Sequence, residues 1–269
     1  MKNNKNKAKS IIFAGVVLIL FSICLIQLNI DTVIPTASNA ENSKTIGWGI
    51  KRNSNNQQPD VGTENKKILE ENGGICLGKD MIKNIYLTFD AGYEAGYMDK
   101  ILDVLKDNNI KAAFFITSHY LNTASDKVER MINEGHIIGN HTVNHKSMPS
   151  ITDEEIESEV MKLHQAVYEK FNYEMRFIRP PKGEFNERTL KKCETLGYKT
   201  VMWSFAYCDW DEKNQPSTQK AIEMITNNFH PGGIILLHSN SKTNSEVLDT
   251  IIKSAKEQEY EFKTLEQFE

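Results

Sequence analysis

The sequence has few residues with which a small fold could be cross-linked. It contains only four cysteines; Cys24 lies in an apolar run, and Cys76, Cys193 and Cys208 are irregularly spaced. This spacing matches neither a disulfide framework nor a zinc knuckle, although one pair could form. We therefore expect buried or free thiols and a fold that is stabilised by its hydrophobic core.

Basic residues are outnumbered by acidic residues outside the N-terminal region. Residues 1–40 hold four of the 32 basic and one of the 36 acidic residues, so the remainder carries a formal net charge of −7. An acidic domain is a poor partner for nucleic acid or for anionic lipid. We predict no nucleic-acid partner.

The chain has one long apolar run, at residues 11–30, and small residues follow it at 36–40. Four lysines precede the run. This order is typical of a signal peptide, here with cleavage after Ala40, but a run of about 20 residues is also long enough to span a membrane. Residues 1–40 are thus either a signal peptide or a membrane anchor. Because the positive charge precedes the run, we expect the rest of the chain to be extracytoplasmic.

Residues 41–65 contain few large apolar side chains and predict a polar tether. Trp48 is an exception, and we expect it to dock either at the membrane surface or on the domain that follows. Residues 66–269 predict one domain without internal repeats.

Within this domain, short apolar runs alternate with amphipathic helical patterns about seven times, which is typical of a parallel α/β fold. No glycine-rich phosphate loop follows the first run, so a barrel-like closure fits better than an open doubly wound sheet. The predicted strands are residues 85–89, 112–116, 136–139, 177–178, 198–203, 233–237 and 260–263.

Polar side chains recur just after these strands, where α/β enzymes collect their reacting groups. This concentration is the main indication of an enzyme, although each residue alone also has an ordinary structural explanation. The residues are Asp90, His141, His145, Arg179, Asp209, Trp210 and His238.

His141 and His145 are four residues apart, and a helical turn would place both rings on one face, as a divalent metal requires. Two surface histidines at this spacing also occur by chance. His238 follows an apolar strand and is either a satisfied core histidine or a general acid or base. Asp209 is the candidate carboxylate that would raise the pKa of His238.

Arg179 precedes Pro180 and Pro181, a rigid bend that could hold its guanidinium against a carboxylate or could simply lie at the surface. Trp210 is either a wall for a sugar ring or a packing residue. The remaining histidines match no spacing rule, and we expect them to be structural: His119, His136, His164 and His230.

Residues 84–264 resemble the polysaccharide deacetylases of carbohydrate esterase family 4, the NodB-homology group. All five sequence blocks of the family can be placed in order: Thr88–Ala91, His141–His145, Arg179–Lys182, Asp209–Trp210 and Leu237–His238. The resemblance implies an irregular (β/α)₇ barrel.

The resemblance also implies a role for each matched residue. Asp90 would be the general base and His238 the general acid, with Arg179 and Asp209 as their respective supports. The metal ligands would be His141 and His145, and the backbone N–H of Lys182 would serve the oxyanion.

Within the family, the sequence is most similar to spore-cortex enzymes that deacetylate muramic acid before the muramic δ-lactam forms. Three stretches carry this likeness: Leu87–Glu94, Arg179–Leu190, and Asp209–Asp211 with Gln215 and Pro216. It implies peptidoglycan strands as the substrate, with Trp210, Lys182 and Tyr93 in contact with the glycan. We expect a monomer whose N-terminal segment interacts with the membrane.

Two positions depart from the family pattern. Ala91 stands where a second aspartate commonly completes the metal site, so we expect a divalent metal, zinc or similar, that is weakly held. Lys182 stands where an aromatic residue is usual. Two alternatives follow: an N-acetylglucosamine deacetylase of peptidoglycan or chitin-like chains, and an inactive protein that binds wall glycan.

Overall fold

The computed structural model describes residues 44–53 and 55–269. The strands are β1 (Ile46–Gly47), β2 (Asn84–Ala91), β3 (Ala113–Ile116), β4 (Ile137–Asn140), β5 (Phe177–Ile178), β6 (Glu184–Phe185), β7 (Lys199–Thr200), β8 (Gly233–His238) and β9 (Glu261–Phe262). The helices are α1 (Thr63–Glu71), α2 (Met98–Asp107), α3 (Ser118–Thr123), α4 (Ser125–Asn133), α5 (Asp153–Phe171), α6 (Glu187–Thr195), α7 (Thr218–Thr226) and α8 (Lys242–Glu257).

Seven strands form one parallel sheet, in agreement with the seven runs predicted from the sequence. Its hydrogen-bonded order is β7-β5-β4-β3-β2-β8, and β9 pairs with the start of β2. The strands curve into a half-barrel whose outer strands are joined by single bridges. Val201, which follows β7, pairs with Ile75, and Leu77 pairs with Gly233 of β8; Phe205 also pairs with Ile235 of β8. An irregular segment therefore lies where a regular barrel would have a strand.

β2 lies inside this sheet and is buried along its whole length. Its residues alternate between two environments, as the period of a strand requires. Leu87, Phe89 and Ala91 belong to the large apolar cluster that the helices also enter, whereas Tyr86 belongs to a separate, smaller cluster. The same alternation places Asp90 on the face opposite Ala91.

Helix α5 shows how local sequence positions an element. Thr152 caps it, with the Thr152 side chain accepting from the Glu155 N–H and the Glu155 carboxylate accepting in return. Its buried face then carries Val160 and Leu163 against the sheet, while Asn172 ends it in a left-handed conformation.

The segment formed by residues 44–53 and 55–62 corrects the prediction of a polar tether over residues 41–65. Ile46 pairs with Phe185, Lys51 pairs with Asp60, and Trp48 is only 8% exposed, so this segment packs on the domain. Several of its polar side chains donate to backbone carbonyls; Gln58, for example, donates to the carbonyls of Gly78 and Pro231. Composition alone cannot distinguish such a segment from a tether.

Residues 1–40, predicted as a signal peptide or an anchor, lie outside the described part of the chain. Within that part, no helix is both long and apolar enough to cross a membrane. The three described cysteines are free thiols, as expected, and burial raises the pKa of Cys76 and Cys193 to about 12.

Candidate active site

Four of the predicted site residues emerge at the carboxyl edge of the sheet. Asp90 on β2 is the register partner of His238 on β8. β4 and β5, which pair with each other, end one residue before His141 and Arg179. Strand pairing therefore brings together residues that are up to about 150 positions apart in the chain.

Asp90 is held by a buried arginine. Arg179 Nη1 donates to Asp90 Oδ1 over 2.8 Å, Nη2 donates to Thr88 Oγ1 over 2.9 Å, and Nε donates to the carbonyl of Val201 over 3.1 Å. Thr88 in turn donates its hydroxyl hydrogen to the carbonyl of Ile235 over 2.7 Å. Each of the three guanidinium nitrogens thus donates to an acceptor, and these hydrogen bonds fix the orientation of the group.

The Arg179 guanidinium also packs against the aromatic rings of Phe115 and Trp203. The guanidinium carbon lies 4.2 Å from the Phe115 ring centre and 5.8 Å from that of Trp203. Burial by itself raises the pKa of Asp90, but the charge of Arg179, with smaller contributions from His141, His238 and the Arg179 hydrogen bond, outweighs it, so the pKa lies below its ordinary value. Asp90 is therefore an ionised carboxylate at neutral pH.

His238 is paired with Asp209, as the sequence predicts. His238 Nδ1 lies 2.7 Å from Asp209 Oδ1, and the His238 backbone N–H donates to Oδ2 over 2.8 Å. Burial lowers the pKa of the imidazole, but the hydrogen bond and charge of Asp209 raise it by more than burial lowers it. The pKa of His238 therefore lies above its ordinary value. Because Nδ1 is engaged, Nε2 is the atom available for proton transfer.

Asp209 is itself fully buried and has a second side-chain partner. Asn244 Nδ2 donates to Asp209 Oδ2 over 2.6 Å, and the Tyr207 hydroxyl donates to Asn244 Oδ1. Two buried side chains, Tyr207 and Asn244, therefore fix the Asp209 carboxylate that orients His238.

His141 and His145 come together, but the predicted helical turn is wrong. The segment between them is a loop in which Thr142 and His145 have φ of 67° and 54°. Glu159 of α5 binds this loop at Asn144. The Glu159 carboxylate accepts the backbone N–H and the side-chain amide of Asn144 over 2.7 and 2.6 Å. The two imidazole ring centres are nevertheless 4.8 Å apart.

The donor atoms of these histidines suit a divalent metal. His141 Nδ1 bonds the carbonyl of Arg179 over 2.8 Å, so it must carry the proton, and the lone pair of Nε2 faces Asp90 Oδ2 across 3.5 Å. Burial lowers the pKa of both imidazoles, that of His145 to about 4, which keeps them neutral. A neutral nitrogen that faces a carboxylate with no hydrogen between them fits a bound cation.

The described residues include no group of three or more His, Cys, Asp or Glu side chains arranged to hold a metal. Ala91 is fully buried in the apolar cluster and has no donor atom, as its sequence implies. The donor set consequently consists of two imidazoles beside one carboxylate oxygen.

These groups line a cavity of about 620 Å³. Two exposed aromatic side chains, Tyr93 and Trp210, lie on its wall; the Trp210 ring is 5.8 Å from the His238 ring. Asn240 fixes this wall by donating to the Tyr93 hydroxyl over 2.6 Å and to the Trp210 carbonyl over 3.1 Å. His119, which we predicted to be structural, also lines the cavity.

The other predicted residues lie behind or beside the cavity. Arg179 and Asp209 are fully buried, and the side chain of Lys182 is exposed next to the site, where its charge contributes to lowering the pKa of His145. The backbone N–H of Lys182 donates to no acceptor among the described residues.

Sequence reasoning missed several supporting residues: Thr88, Tyr207, Asn240, Asn244, Glu159 and Trp203. Thr88 could have been found, since strand alternation places it on the same face as Asp90. Asn244 and Glu159 lie in helices whose patterns give no sign of a buried polar contact.

Comparison with known proteins gives consistent matches. Residues 78–201 match the family described as Polysaccharide deacetylase. The chain is 40% identical over 225 residues to the peptidoglycan-N-acetylmuramic acid deacetylase PdaA of Bacillus subtilis, covering 83% of this chain and 86% of that protein. It is 34% identical over 185 residues to a peptidoglycan-N-acetylglucosamine deacetylase of Bacillus cereus, covering 67% and 66% of the two chains.

Solved structures show the same architecture. The structure of Bacillus subtilis PdaA, a family 4 carbohydrate esterase, has a TM-score of 0.82 at 40% identity and covers 84% of this chain and 97% of its own. A family 4 carbohydrate esterase from Bacillus anthracis has a TM-score of 0.71 at 39% identity, covering 84% and 96%.

Proposed function

Because this chain belongs to the polysaccharide deacetylase family, as the sequence blocks predicted, we propose that it hydrolyses the N-acetyl groups of peptidoglycan. The chain is a hydrolase of this family, and we assign N-acetylmuramic acid as the sugar it deacetylates, on the route to muramic δ-lactam in spore cortex. The similarity to PdaA over most of both chains supports the choice of sugar. We further propose that the domain acts outside the cytoplasm.

The observation that carries the proposal is the pair formed by Asp90 and His238. They are register partners on adjacent strands, yet Arg179 lowers the pKa of one while Asp209 raises the pKa of the other. An ionised carboxylate and a protonated imidazole at one cavity are the base and acid that amide hydrolysis needs.

The residues then act in sequence. Asp90 accepts a proton from the attacking water, while Arg179 keeps the carboxylate ionised and oriented. The backbone N–H of Lys182 donates to the developing oxyanion. His238 protonates the leaving amine from Nε2, and Asp209 stabilises the charged ring. Without protonation, the amine would be too poor a leaving group for the C–N bond to break.

A divalent metal fits beside these groups. His141 and His145 would hold it, and when bound it supplies Lewis-acid polarisation of the acetamide carbonyl. We propose that this metal is weakly held, since Ala91 offers no third ligand. The neutral state of both imidazoles keeps their lone pairs available.

The test is acetate release by the full-length chain from peptidoglycan with and without its stem peptides, across a series of divalent metals. We expect metal-dependent release that chelation abolishes, with free amines on muramic acid. Free amines on glucosamine alone would instead support the N-acetylglucosamine alternative, which the 34% identity to such an enzyme keeps in view. Glycan binding without any acetate release would favour an inactive wall-binding protein.

A further inference from the structure

The backbone N–H assigned to the oxyanion lies in a strained turn. Pro180 and Pro181 lead into Lys182 and Gly183, whose φ angles of 61° and 67° are both in the left-handed region. Such a conformation is unfavourable for lysine and persists only where the surroundings impose it. The turn therefore requires a support from outside its own residues.

Trp48 in the N-terminal segment provides such a support. Its backbone N–H donates to the carbonyl of Gly183 over 2.8 Å, and its indole Nε1 donates to the carbonyl of Trp203 over 2.8 Å. β1 ends one residue before Trp48 and pairs with β6, which begins one residue after Gly183. A short antiparallel ladder thus continues directly into the turn.

The packing around the turn leaves no space for a side chain at Gly183. A methyl group added to Gly183 would lie 2.6 Å from Cη2 of Trp203 and 3.3 Å from Cβ of Trp48. Both tryptophans therefore pack against Gly183, the residue that follows Lys182. Trp203 also lies against the guanidinium of Arg179, which holds Asp90.

We propose that Trp48 is a positioning residue for the reaction, acting on the oxyanion donor through Gly183 and on the base through Trp203 and Arg179. The inference rests on the proposed function. It also gives residues 46–48 a role in catalysis that their position before the first strand of the sheet does not indicate. Since Trp48 does not line the cavity, its loss should reduce kcat and leave KM nearly unchanged.

The test compares Trp48→Phe and Trp48→Ala in the full-length chain. Displacement of the turn by about 1 Å would cost on the order of 10²-fold in rate, so we expect a loss of kcat of roughly that size for Trp48→Ala. Both variants keep the backbone N–H that donates to Gly183; Trp48→Phe also keeps an aromatic ring at this position and loses only the indole donor. We expect it to recover part of the rate, with kcat about tenfold below wild type.

Val61→Ala is the matched control, because Val61 is buried in the same apolar cluster and belongs to the same N-terminal segment. It should lower stability and leave kcat unchanged. Amide hydrogen exchange in residues 183–186 provides a readout independent of activity, and it should be faster in both Trp48 variants than in Val61→Ala.

An active wild type whose Trp48 variants retain full kcat and slow exchange would overturn the inference, as would a Val61→Ala variant with the same loss of kcat. Failure of the proposed function would be visible earlier, in a wild type that releases no acetate. In that case slow amide exchange in Trp48→Ala would still contradict the inference that Trp48 supports the turn. Fast exchange would agree with that inference.

Discussion

His141 bonds the backbone carbonyl of Arg179 through Nδ1 over 2.8 Å, and the Arg179 side chain bonds Asp90 over 2.8 Å. One residue thus orients the imidazole of the proposed metal ligand with its main chain and the proposed base with its guanidinium. The two functions are coupled because Arg179 directly follows β5, beside the end of β4. A substitution at Arg179 would therefore alter the base through the lost charge, and the imidazole through any shift of the backbone.

Replacement of the base should nearly abolish turnover. In Asp90→Asn the proton acceptor is lost, and we expect kcat to fall by about 10²–10⁴-fold. Arg179 is left as an unpaired buried charge, so a loss of unfolding free energy of roughly 3–5 kcal/mol is also expected. Kinetics on protein shown to be folded by circular dichroism separate the two effects.

Asp249→Asn, which removes an exposed carboxylate paired with Lys253 on α8, is the control and should behave as wild type. Substantial activity in Asp90→Asn would contradict the proposed mechanism.

The pH profile should report His238. The general acid acts only when protonated, so kcat should fall as the pH rises through a pKa that lies above the ordinary value for histidine. Asp209→Asn removes the charge that raises this pKa, and the alkaline limb should then move to lower pH. The pH dependence of kcat in both proteins is the measurement, and an alkaline limb that does not move would assign that limb to another group.

Asn244 should affect the reaction without contact with the substrate. Asn244→Ala removes the donor to Asp209 Oδ2 and leaves the Tyr207 hydroxyl buried without its partner. We expect a loss of about 1–3 kcal/mol in unfolding free energy and a decrease in kcat of roughly tenfold.

The neighbouring Ser245→Ala, also buried on α8, should keep kcat. Chemical denaturation and steady-state kinetics on both variants would test this, and equal kcat values for the two would argue against a role for Asn244.

Trp210 should determine substrate affinity more than rate. Its ring is 55% exposed on the cavity wall, where a sugar ring can stack on it. Trp210→Ala should raise KM on the order of tenfold with a smaller change in kcat, and Trp210→Phe should restore part of the affinity. A KM that is unchanged in the alanine variant would show that Trp210 is not part of the substrate wall.

His136 should make stability depend on pH. Burial lowers its pKa to about 4, so between pH 6.5 and 4 the unfolded chain binds a proton that the folded chain does not. Stability from this histidine is complete above pH 6.5 and falls with decreasing pH by at most about 1.4 kcal/mol per unit. His136→Asn keeps an acceptor near the Ala112 N–H but cannot titrate, and denaturation at several pH values should show a smaller slope.

The sequence alone was sufficient to predict the seven parallel strands and the polar residues that follow them. Apolar periodicity is a local property, and the edge at which parallel strands present their carboxyl ends follows from the fold class. The roles proposed for Asp90, His238, Arg179 and Asp209 came from the family blocks, and the structure shows Arg179 bonded to Asp90 and His238 bonded to Asp209.

Only the tertiary structure determined the conformation of the connecting segments. The segment His141–His145 has helical spacing but forms a loop, because Glu159 binds it from a helix that lies later in the chain. Residues 44–53 and 55–62 have the composition of a tether but pack on the domain through Trp48, whose hydrogen-bond partners lie more than 130 positions away. Contacts at such separation depend on the assembled barrel, and no local pattern in the sequence encodes them.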